Sequence, residues 1–220
     1  MPVPHRVTRL GAVNAYLVQE PDGLTLVDAL ITRSAQLILA EAAKAGAPIV
    51  RIVLTHAHSD HTGSLDALRE QLPEAEVLVG AREARLMAGD TTLDPGEGGK
   101  LRGSLSKVST RPTRTLEPGD RVGSLEAIDA KGHSPGQLAF LDVRDGTLYC
   151  ADAYTTLGGV LTSSKPHAPF PFAALATWCR PVALETARAL RRLDPARLAP
   201  GHGPVVEAPA AAMDAAIAKG

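Results

Sequence analysis

Four residues that can bind metal ions lie within six positions of the chain: His56, His58, Asp60 and His61. Imidazole and carboxylate groups are donors that zinc, iron and manganese ions bind in proteins. Side chains two positions apart in extended backbone point to the same side, so His56 and His58 should face one point. Asp60 and His61 follow after the chain turns, and they point elsewhere. The spacing therefore suggests two metal ions side by side.

Two segments with regular apolar patterns flank these residues. The β-branched run Ile49–Leu54, interrupted by Arg51, predicts a strand that is buried on both faces of a sheet. The amphipathic segment 64–72 predicts a helix directly afterwards. A lone histidine at such a junction is more often a packed or solvated ring, but three of the chain's seven histidines lie here. We therefore interpret the junction as a metal site.

The HAHSDH segment at residues 56–61 resembles the signature of the metallo-β-lactamase superfamily. The resemblance extends to three further positions in the order that the family has them. His133 lies in a Gly-His-Ser-Pro-Gly segment, Asp152 follows a short apolar run, and His202 lies in a Gly-His-Gly turn. Taken alone, each is an ordinary loop residue or strand terminator, but seven ordered matches make coincidence a poor explanation.

The resemblance implies a dinuclear metal site with a defined division of ligands. The implied ligands of the first ion are His56, His58 and His133. The implied ligands of the second ion are Asp60, His61 and His202. Asp152 is the implied bridging carboxylate.

The implied chemistry is hydrolysis by a hydroxide that bridges the two ions. Two cations that share one water lower its pKa toward neutrality, so no side-chain base is needed. Asp152 and Asp60 are the implied catalytic carboxylates, Asp152 as the bridge and Asp60 as the group that steers a proton to the leaving group. Two divalent ions are expected, with zinc as the default and iron or manganese as alternatives that accept the same donors.

The family fold is a four-layer αββα sandwich, so we expect an α/β (α+β) protein of two similar βα halves with mixed sheets. A weak internal repeat agrees with this expectation, because strand, Asp-Gly turn, strand and Asp occur at residues 15–28 and again at 137–152. No linker separates the halves. We therefore expect one domain over residues 1–220.

The remaining patterns predict the other elements and two long loops. Further strands are predicted at 77–79, 124–128 and 197–199. Helices are predicted at 34–45, 81–88, 173–179, 182–193 and 207–219. The Gly- and Pro-rich segments 89–103 and 155–171 are predicted to be loops near the site that determine the substrate.

Composition narrows the range of partners. The formal net charge is −1 and no dense Lys/Arg run occurs, so neither nucleic acid nor a membrane is expected as a partner. Aromatic residues make up only 3% of the chain, which leaves few stacking surfaces for bases. The N-terminal sequence lacks the apolar core of a secretory signal. We expect a cytoplasmic protein with a small-molecule substrate, and its oligomeric state is left open.

Differences within the superfamily narrow the expected reaction. Its β-lactamases usually lack an acid at the position of Asp152, so antibiotic hydrolysis is not expected. Its hydroxyacylglutathione hydrolases carry a helical domain after the last histidine, whereas eighteen residues follow His202 here. Its acyl-homoserine lactonases place a tyrosine three residues after the bridging acid, where this chain has Thr155.

The expected function is therefore the dinuclear, metal-dependent hydrolysis of a small ester, thioester or lactone. Two alternatives remain, a mononuclear iron oxidoreductase similar to sulfur dioxygenases and a metal-stabilised binding protein without turnover. A complete second set of ligands favours the hydrolase. Tyr154 and His167 are further candidates for substrate contact, although packing of Tyr154 and surface exposure of His167 are the simpler interpretations.

Overall fold

Two mixed six-stranded sheets face each other through a shared apolar layer. The computed structural model describes residues 4–105 and 107–220. The strands of the first sheet lie side by side in chain order and are β1 (His5–Arg9), β2 (Val13–Glu20), β3 (Gly23–Val27), β4 (Ile49–Leu54), β5 (Glu76–Gly80) and β6 (Arg114–Leu116).

The second sheet is built from the later part of the chain. Its first four strands are β7 (Arg121–Val122), β8 (Leu125–Asp129), β9 (Leu138–Asp142) and β10 (Thr147–Ala151). A separate short hairpin of β11 (Tyr154–Thr155) and β12 (Leu161–Thr162) follows. The sheet is completed by β13 (Arg197–Pro200) and β14 (Val206–Glu207), and its spatial order is β14-β13-β10-β9-β8-β7.

Helices cover the outer face of each sheet. In chain order the helices of the described residues are α1 (Ala35–Ala45), α2 (Ser59–Thr62), α3 (Leu65–Gln71), α4 (Ala81–Met87), α5 (Phe172–Leu175), α6 (Arg180–Arg192) and α7 (Ala210–Lys219). The helices before residue 90 pack on the first sheet, and α6 and α7 pack on the second.

Side chains along β4 show why the layers form. Val53 points into the layer between the sheets, while Ile52 and Leu54 point to the outer layer that contains Ile38 of α1 and Leu68 of α3. Successive side chains of a strand point to opposite faces, so a run of apolar residues fills both layers at once. The prediction of a strand buried on both faces is confirmed.

The outer layer on the second sheet completes the sandwich. Leu148 of β10 and Leu198 of β13 pack against Leu190 of α6 and Met213 of α7. The order of layers is therefore helix, sheet, sheet, helix, and the predicted αββα architecture is observed.

The two halves share a connection that supports the internal repeat. In the first half, β3 leads through α1 to β4, which pairs with β3 in parallel. In the second half, β10 leads through α6 to β13, which pairs with β10 in parallel. Asp28 follows β3 and Asp152 follows β10, so each half places an acid at the same end of its sheet. Parallel pairing directs the ends of these strands, and the residues after them, to one rim.

Tertiary contacts changed the predicted elements of the second half. The helix predicted at 173–179 ends at Leu175, because Trp178 and Cys179 donate backbone N–H groups to the carbonyl oxygens of His133 (2.8 Å) and Gly132 (2.9 Å). Helical backbone would use those N–H groups internally. The predicted bounds of this helix were therefore wrong.

Two more predictions in the second half require correction. The segment 155–171 was predicted to be a loop, but part of it forms the β11–β12 hairpin. The last helix was predicted from residue 207 but begins at Ala210, because Val206 and Glu207 pair with β13 as an edge strand. β1 was not predicted either, and it pairs antiparallel with β2 over five residues.

Backbone hydrogen bonds join the two sheets at the rim that carries the histidines. The N–H of Leu138 donates to the carbonyl of Thr55 (2.9 Å), and the N–H of Asn14 donates to the carbonyl of Gly201 (2.8 Å). These bonds fix the loop after β4 relative to the loops of the second half. Among the described residues, every helix is too short or too polar to span a lipid bilayer.

Candidate metal centre

The predicted ligands converge at this rim in three overlapping groups of donor atoms. Within each group, every donor lies within 4.8 Å of the others. Asp152 forms one group with His56 and His61, and it lies between the other two. We call the group of His56, His58 and His133 the first cluster. We call the group of Asp60, His61 and His202 the second cluster.

The turn after β4 separates the two clusters as the spacing predicted. His58 keeps extended backbone, with φ −67° and ψ 150°, and precedes the first residue of the short helix α2. Asp60 and His61 lie in that helix and turn away to the second cluster. A single six-residue segment therefore supplies donors to both clusters.

Hydrogen bonds fix which nitrogen of each ring faces the first cluster. The Thr55 hydroxyl donates to the Asp28 carboxylate, so its oxygen accepts from Nδ1–H of His56 at 3.0 Å. The Thr177 hydroxyl donates to a backbone carbonyl, so its oxygen accepts from Nδ1–H of His133, also at 3.0 Å. Both rings therefore present an unprotonated Nε2.

His58 has the opposite orientation. Its Nε2–H donates to the carbonyl of Arg102 at 3.0 Å, so Nδ1 faces the cluster and lies 3.0 Å from Nε2 of His133. The N–H of Ser59 donates to the backbone carbonyl of Ser104 (2.7 Å), and His58 forms a β-bridge with Leu105. We call residues 101–105 the strap, because they fasten the His58 ring.

The second cluster is oriented by a buried acid. Nδ1–H of His61 donates to Asp28 at 2.7 Å, which leaves Nε2 facing the cluster. Nε2 of His202 lies 3.3 Å from Oδ2 of Asp60, and Nε2 of His61 lies 3.9 Å from the same oxygen. The side chain of Asp60 is one-third exposed, so this cluster is open to solvent on one side.

Asp152 contacts both clusters with its two oxygens. Oδ1 lies 3.3 Å from Nε2 of His61, and Oδ2 lies 3.4 Å from Nε2 of His133 and 3.2 Å from Nε2 of His202. Gly201 leaves the space that this arrangement needs, because a Cβ there would overlap Asp152 and His61.

Burial keeps the first cluster neutral near pH 7. Removal from water lowers the pKa of His56 well below its ordinary value and also lowers that of His58. The same cause lowers the pKa of His133 to about 3. Neutral imidazoles have a free lone pair, which is the form that binds a cation.

Carboxylates reverse this tendency in the second cluster. Burial alone would lower the pKa of His202, but Asp152 and Asp60 outweigh burial and raise it to about 9. Burial is likewise outweighed at His61, where Asp28, Asp152 and Asp60 raise the pKa. The histidines in turn hold the pKa values of Asp60 and Asp152 below their ordinary range, against the effect of burial.

The donor set fits divalent metal ions. Nε2 of His56, Nε2 of His61 and Oδ1 of Asp152 are buried and have no hydrogen-bond partner within the described part of the chain. Leaving a buried polar atom unpaired costs about 1–3 kcal/mol. A cation at each cluster would satisfy these atoms, and imidazole with carboxylate suits zinc, iron or manganese.

A cleft opens beside the two clusters and has a volume of about 300 Å³. One wall is apolar and consists of Phe170, Phe172, Ala173 and Ala176. The Phe170 ring lies 4.8 Å from the ring of His202, centroid to centroid. Ser59 and Ser104 also line the cleft, together with four residues of the candidate metal site: His58, Asp60, Asp152 and His202.

The other candidates from the sequence are not among the residues that line this cleft. Tyr154 is fully buried against the second sheet, and its hydroxyl donates to the carbonyl of Ala187 at 2.8 Å. It packs in the core, as the simpler interpretation held. His167 is half-buried and is not among the residues that line the cleft.

Three contacts that orient the site were not predicted from the sequence: those of the Arg102 carbonyl, Thr177 and Glu83. The Arg102 carbonyl left no signal, because any residue supplies a carbonyl. Thr177 was assigned to a helix. Glu83 had a readable signal, since a carboxylate shares the buried face of α4 with Leu86 and Met87.

Comparison with known proteins identifies the family. The model of the metallo-beta-lactamase superfamily matches residues 8–202. The chain belongs to the metallo-beta-lactamase superfamily. The relatives of this chain include YobT of Bacillus subtilis (strain 168), an uncharacterised protein that is 41% identical over 209 residues, covering 94% of this chain and 90% of YobT.

Two relatives of this superfamily member carry hydrolase names. The probable metallo-hydrolase YflN of Bacillus subtilis (strain 168) is 27% identical, covering 86% of this chain and 80% of YflN. A hydroxyacylglutathione hydrolase of Synechococcus sp. (strain JA-2-3B'a(2-13)) is 31% identical over 67% of this chain, and the match spans about half of that enzyme (52%). Membership and these relatives support a metal-dependent hydrolase.

A solved structure of the superfamily is similar over nearly the whole chain. The crystal structure of TTHA1623 in a di-iron-bound form is 27% identical, has a TM-score of 0.68, and covers 95% of this chain and 96% of that chain. The predicted resemblance and the predicted fold are both confirmed.

Proposed function

We propose that this protein is a dinuclear metal-dependent hydrolase that cleaves a small ester, thioester or lactone. One observation carries the proposal: two complete groups of donor atoms share Asp152, which contacts a histidine of each. A site for a single structural ion would need only one closed group of four ligands. Two adjacent groups beside an open cleft instead suit catalysis.

The first cluster would hold one ion, the second cluster the other, and Asp152 would bridge them. When bound, two divalent cations supply an activated water near neutral pH and polarise the carbonyl group under attack. The orienting partners Asp28, Thr55 and Thr177 keep the ring nitrogens aimed at the clusters. The protein's contribution is therefore a rigid set of donors with fixed tautomers.

Asp60 is the residue best placed to move a proton. Its carboxylate is one-third exposed to the cleft and lies 3.3 Å from Nε2 of His202. We assign to Asp60 the transfer of a proton from the attacking water to the leaving group. Asp152 is buried and contacts three imidazoles, so it holds geometry and charge.

The cleft favours a substrate whose acyl part carries no charge. Its wall of Phe170, Phe172 and two alanines is apolar, and neither Lys nor Arg is among the described residues that line it. Glutathione conjugates carry carboxylates, and these would meet no cation in the described lining. We therefore propose simple acyl esters, thioesters or lactones rather than glutathione thioesters, in the cytoplasm.

Zinc is the proposed metal, with iron as the alternative. The donor set accepts either ion, and the di-iron form of TTHA1623, a protein similar to this chain, supports iron. A mononuclear iron oxidoreductase is the less favoured function, because it leaves the second cluster without a role.

The proposal is tested by a substrate screen on metal-loaded protein. The panel contains p-nitrophenyl acyl esters, N-acetylcysteamine thioesters, lactones and glutathione thioesters, each assayed with and without a chelator. We expect turnover of at least one uncharged acyl class, its loss with the chelator, and its return when metal is restored. Absence of hydrolysis across the panel, with an oxygenase activity on persulfides instead, would support the oxidoreductase.

A further inference from the structure

A buried carboxylate on α4 joins two loops of the metal site. The side chain of Glu83 is fully buried. Its Oε2 accepts a hydrogen bond from the N–H of Ala57 at 2.8 Å. Its Oε1 accepts from the hydroxyl of Ser134 at 2.7 Å and from the N–H of Gly136 at 2.8 Å. Both oxygens are therefore used, each by a different loop.

The two loops are those that carry the first cluster. Ala57 lies between His56 and His58, and Ser134 directly follows His133. The loops come from different sheets and lie far apart in sequence. Glu83 links them through one rigid group of atoms, so the distance between the two loops depends on this carboxylate.

The position of Glu83 is itself fixed. Gly136 packs so closely on α4 that a Cβ there would lie 2.5 Å from Cβ of Arg82 and 3.2 Å from the backbone nitrogen of Glu83. The guanidinium of Arg82 binds both oxygens of Glu97 at 2.9 Å. The helix is thus held against the loop that it positions.

The contacts favour an ionised acceptor. Three donors point at the two oxygens of Glu83. The two N–H groups can only donate, and a protonated carboxyl could place its hydrogen only on the Ser134 hydroxyl oxygen. Burial raises the pKa of Glu83 above its ordinary value, and the three hydrogen bonds oppose that effect.

We propose that Glu83 is a positioning residue of the first metal site, which sets the distance between the loops of His56, His58 and His133 without binding the metal. This inference rests on the proposed dinuclear function. The ring of His61 in the second site is oriented by a different acid, Asp28, which also accepts from the Thr55 hydroxyl that orients His56. Loss of Glu83 should therefore weaken one site and spare the other.

The test is Glu83→Gln, which keeps the shape and replaces one accepting oxygen with an amide nitrogen. Glu20→Gln is the matched control, because Glu20 is also buried and accepts from the N–H and hydroxyl of one serine, Ser124. The variants His56→Ala and His202→Ala each leave one intact cluster and so report on the two sites separately.

Zinc binding to metal-stripped protein is measured by competition with a chromophoric chelator. In the His202→Ala background, Glu83→Gln should weaken the remaining site by roughly 10- to 100-fold, the usual effect of losing an orienting partner. In the His56→Ala background, Glu83→Gln should leave the zinc affinity unchanged. Glu20→Gln should change neither.

Equal weakening of both backgrounds, or of neither, would overturn the assignment of Glu83. If Glu83→Gln does not fold, Ser134→Ala replaces it, because that variant removes one donor and keeps the buried charge. It should weaken the first site by a smaller factor and spare the second. If the wild type binds two zinc ions and Glu83→Gln changes the affinity of neither site, only this inference is refuted. If the wild type binds no zinc, the proposed function is refuted as well.

Discussion

Asp152 is the residue on which the two clusters depend. It is buried, and its two oxygens contact a histidine of the first cluster and both histidines of the second. A carboxylate is the side chain suited to this position, because two oxygens can serve two cations and the negative charge offsets theirs. In the proposed dinuclear site, the occupancy of each cluster should therefore depend on that of the other.

Asp152→Ala should therefore weaken both metal sites together. We expect the loss of affinity to exceed the roughly 10- to 100-fold effect of removing an orienting partner, and turnover to fall in proportion. Metal content after dialysis and esterase activity measure the two effects. Asp129→Ala, at an exposed acid paired with Lys131, is the control and should match wild type. Two retained metals and unchanged turnover in Asp152→Ala would exclude a bridging role.

Gly103 in the strap provides a second test at this scale. A Cβ at Gly103 would overlap the ring of His58, and its φ of +83° is strained for other residues. Gly103→Ala should weaken the first metal site and lower stability by about 1–2 kcal/mol. Gly99→Ala is the matched control, because Gly99 has a similar φ of +86° and a Cβ added there would meet open space.

Zinc titration and thermal melting distinguish the two glycine variants. Both should lose similar stability from the backbone, and only Gly103→Ala should lose zinc affinity. Equal zinc affinity in both variants would show that the strap does not hold His58.

Residue-scale prediction from sequence worked where the signal was local. The segment 56–61 contains four possible metal ligands within six positions, and His133, Asp152 and His202 each lie in a recognisable sequence motif. Their membership of a metal site stays a prediction until an ion is measured. The orienting contacts of Arg102 and Glu83 were not predicted, because their partners lie more than twenty residues away in the chain and no local pattern identifies those partners.

At the scale of elements, the short helix α5 places apolar side chains at the mouth of the cleft. Phe172 is 64% exposed and lines the cleft, whereas Leu175 on the same helix is 51% exposed and does not line it. An exposed aromatic ring beside a catalytic site can bury part of a substrate, and each buried methylene contributes about 0.8 kcal/mol.

Phe172→Ala should therefore reduce the preference for longer acyl chains. For the wild type we expect kcat/KM to rise by up to about fourfold per methylene over the first few carbons. In Phe172→Ala this slope should flatten, while Leu175→Ala should keep it. An acyl series of thioesters provides the measurement. The same slope in all three proteins would mean that α5 does not contact the acyl group.

The strands and helices were predicted correctly where the hydrophobic pattern of the sequence determines them. The predictions failed where tertiary contacts determine the structure. β4, α1 and α4 follow from periodicity and from the residues that end them. The elements of the second half were predicted less well, because the backbone N–H groups of Trp178 and Cys179 bind the loop of His133 and not a helical partner. β1 and β14 lie at the edges of the sheets, where a few residues pair with a neighbour without a strong pattern of their own.

At the scale of the whole molecule, the two clusters give the metal-free protein opposite responses to pH. The pKa of His133 is lowered to about 3, so its contribution to stability is present above pH 6.5 and is lost as pH falls through 3. The pKa of His202 is raised to about 9, so its contribution is present below pH 6.5 and is lost as pH rises through 9. The two effects meet near pH 6.5.

We therefore expect the metal-free protein to be most stable near pH 6–7 and to lose a few kcal/mol toward pH 9. His202→Gln should reduce the alkaline loss, because glutamine does not titrate. Zinc should remove it, since zinc binds the deprotonated ring. Thermal melting between pH 4 and pH 10 checks this. A melting temperature of the metal-free protein that still rises at pH 9 would contradict the assigned charges.

The architecture as a whole was predictable because the chain repeats one plan. Hairpin, helix and parallel strand occur in each half, and each hairpin ends at an acid. The resemblance supplied the layer order, which the packing of Val53, Leu148 and their neighbours confirms. The prediction of one domain over residues 1–220, the cytoplasmic location and the identity of the metal stay predictions.

Metal content per chain tests the central claim most directly. It is measured by plasma mass spectrometry on protein made without a His tag, together with turnover before and after chelation. Two clusters that share Asp152 predict about two divalent ions per chain and hydrolysis that the chelator abolishes. One iron per chain without hydrolysis would contradict the dinuclear hydrolase and favour the oxidoreductase.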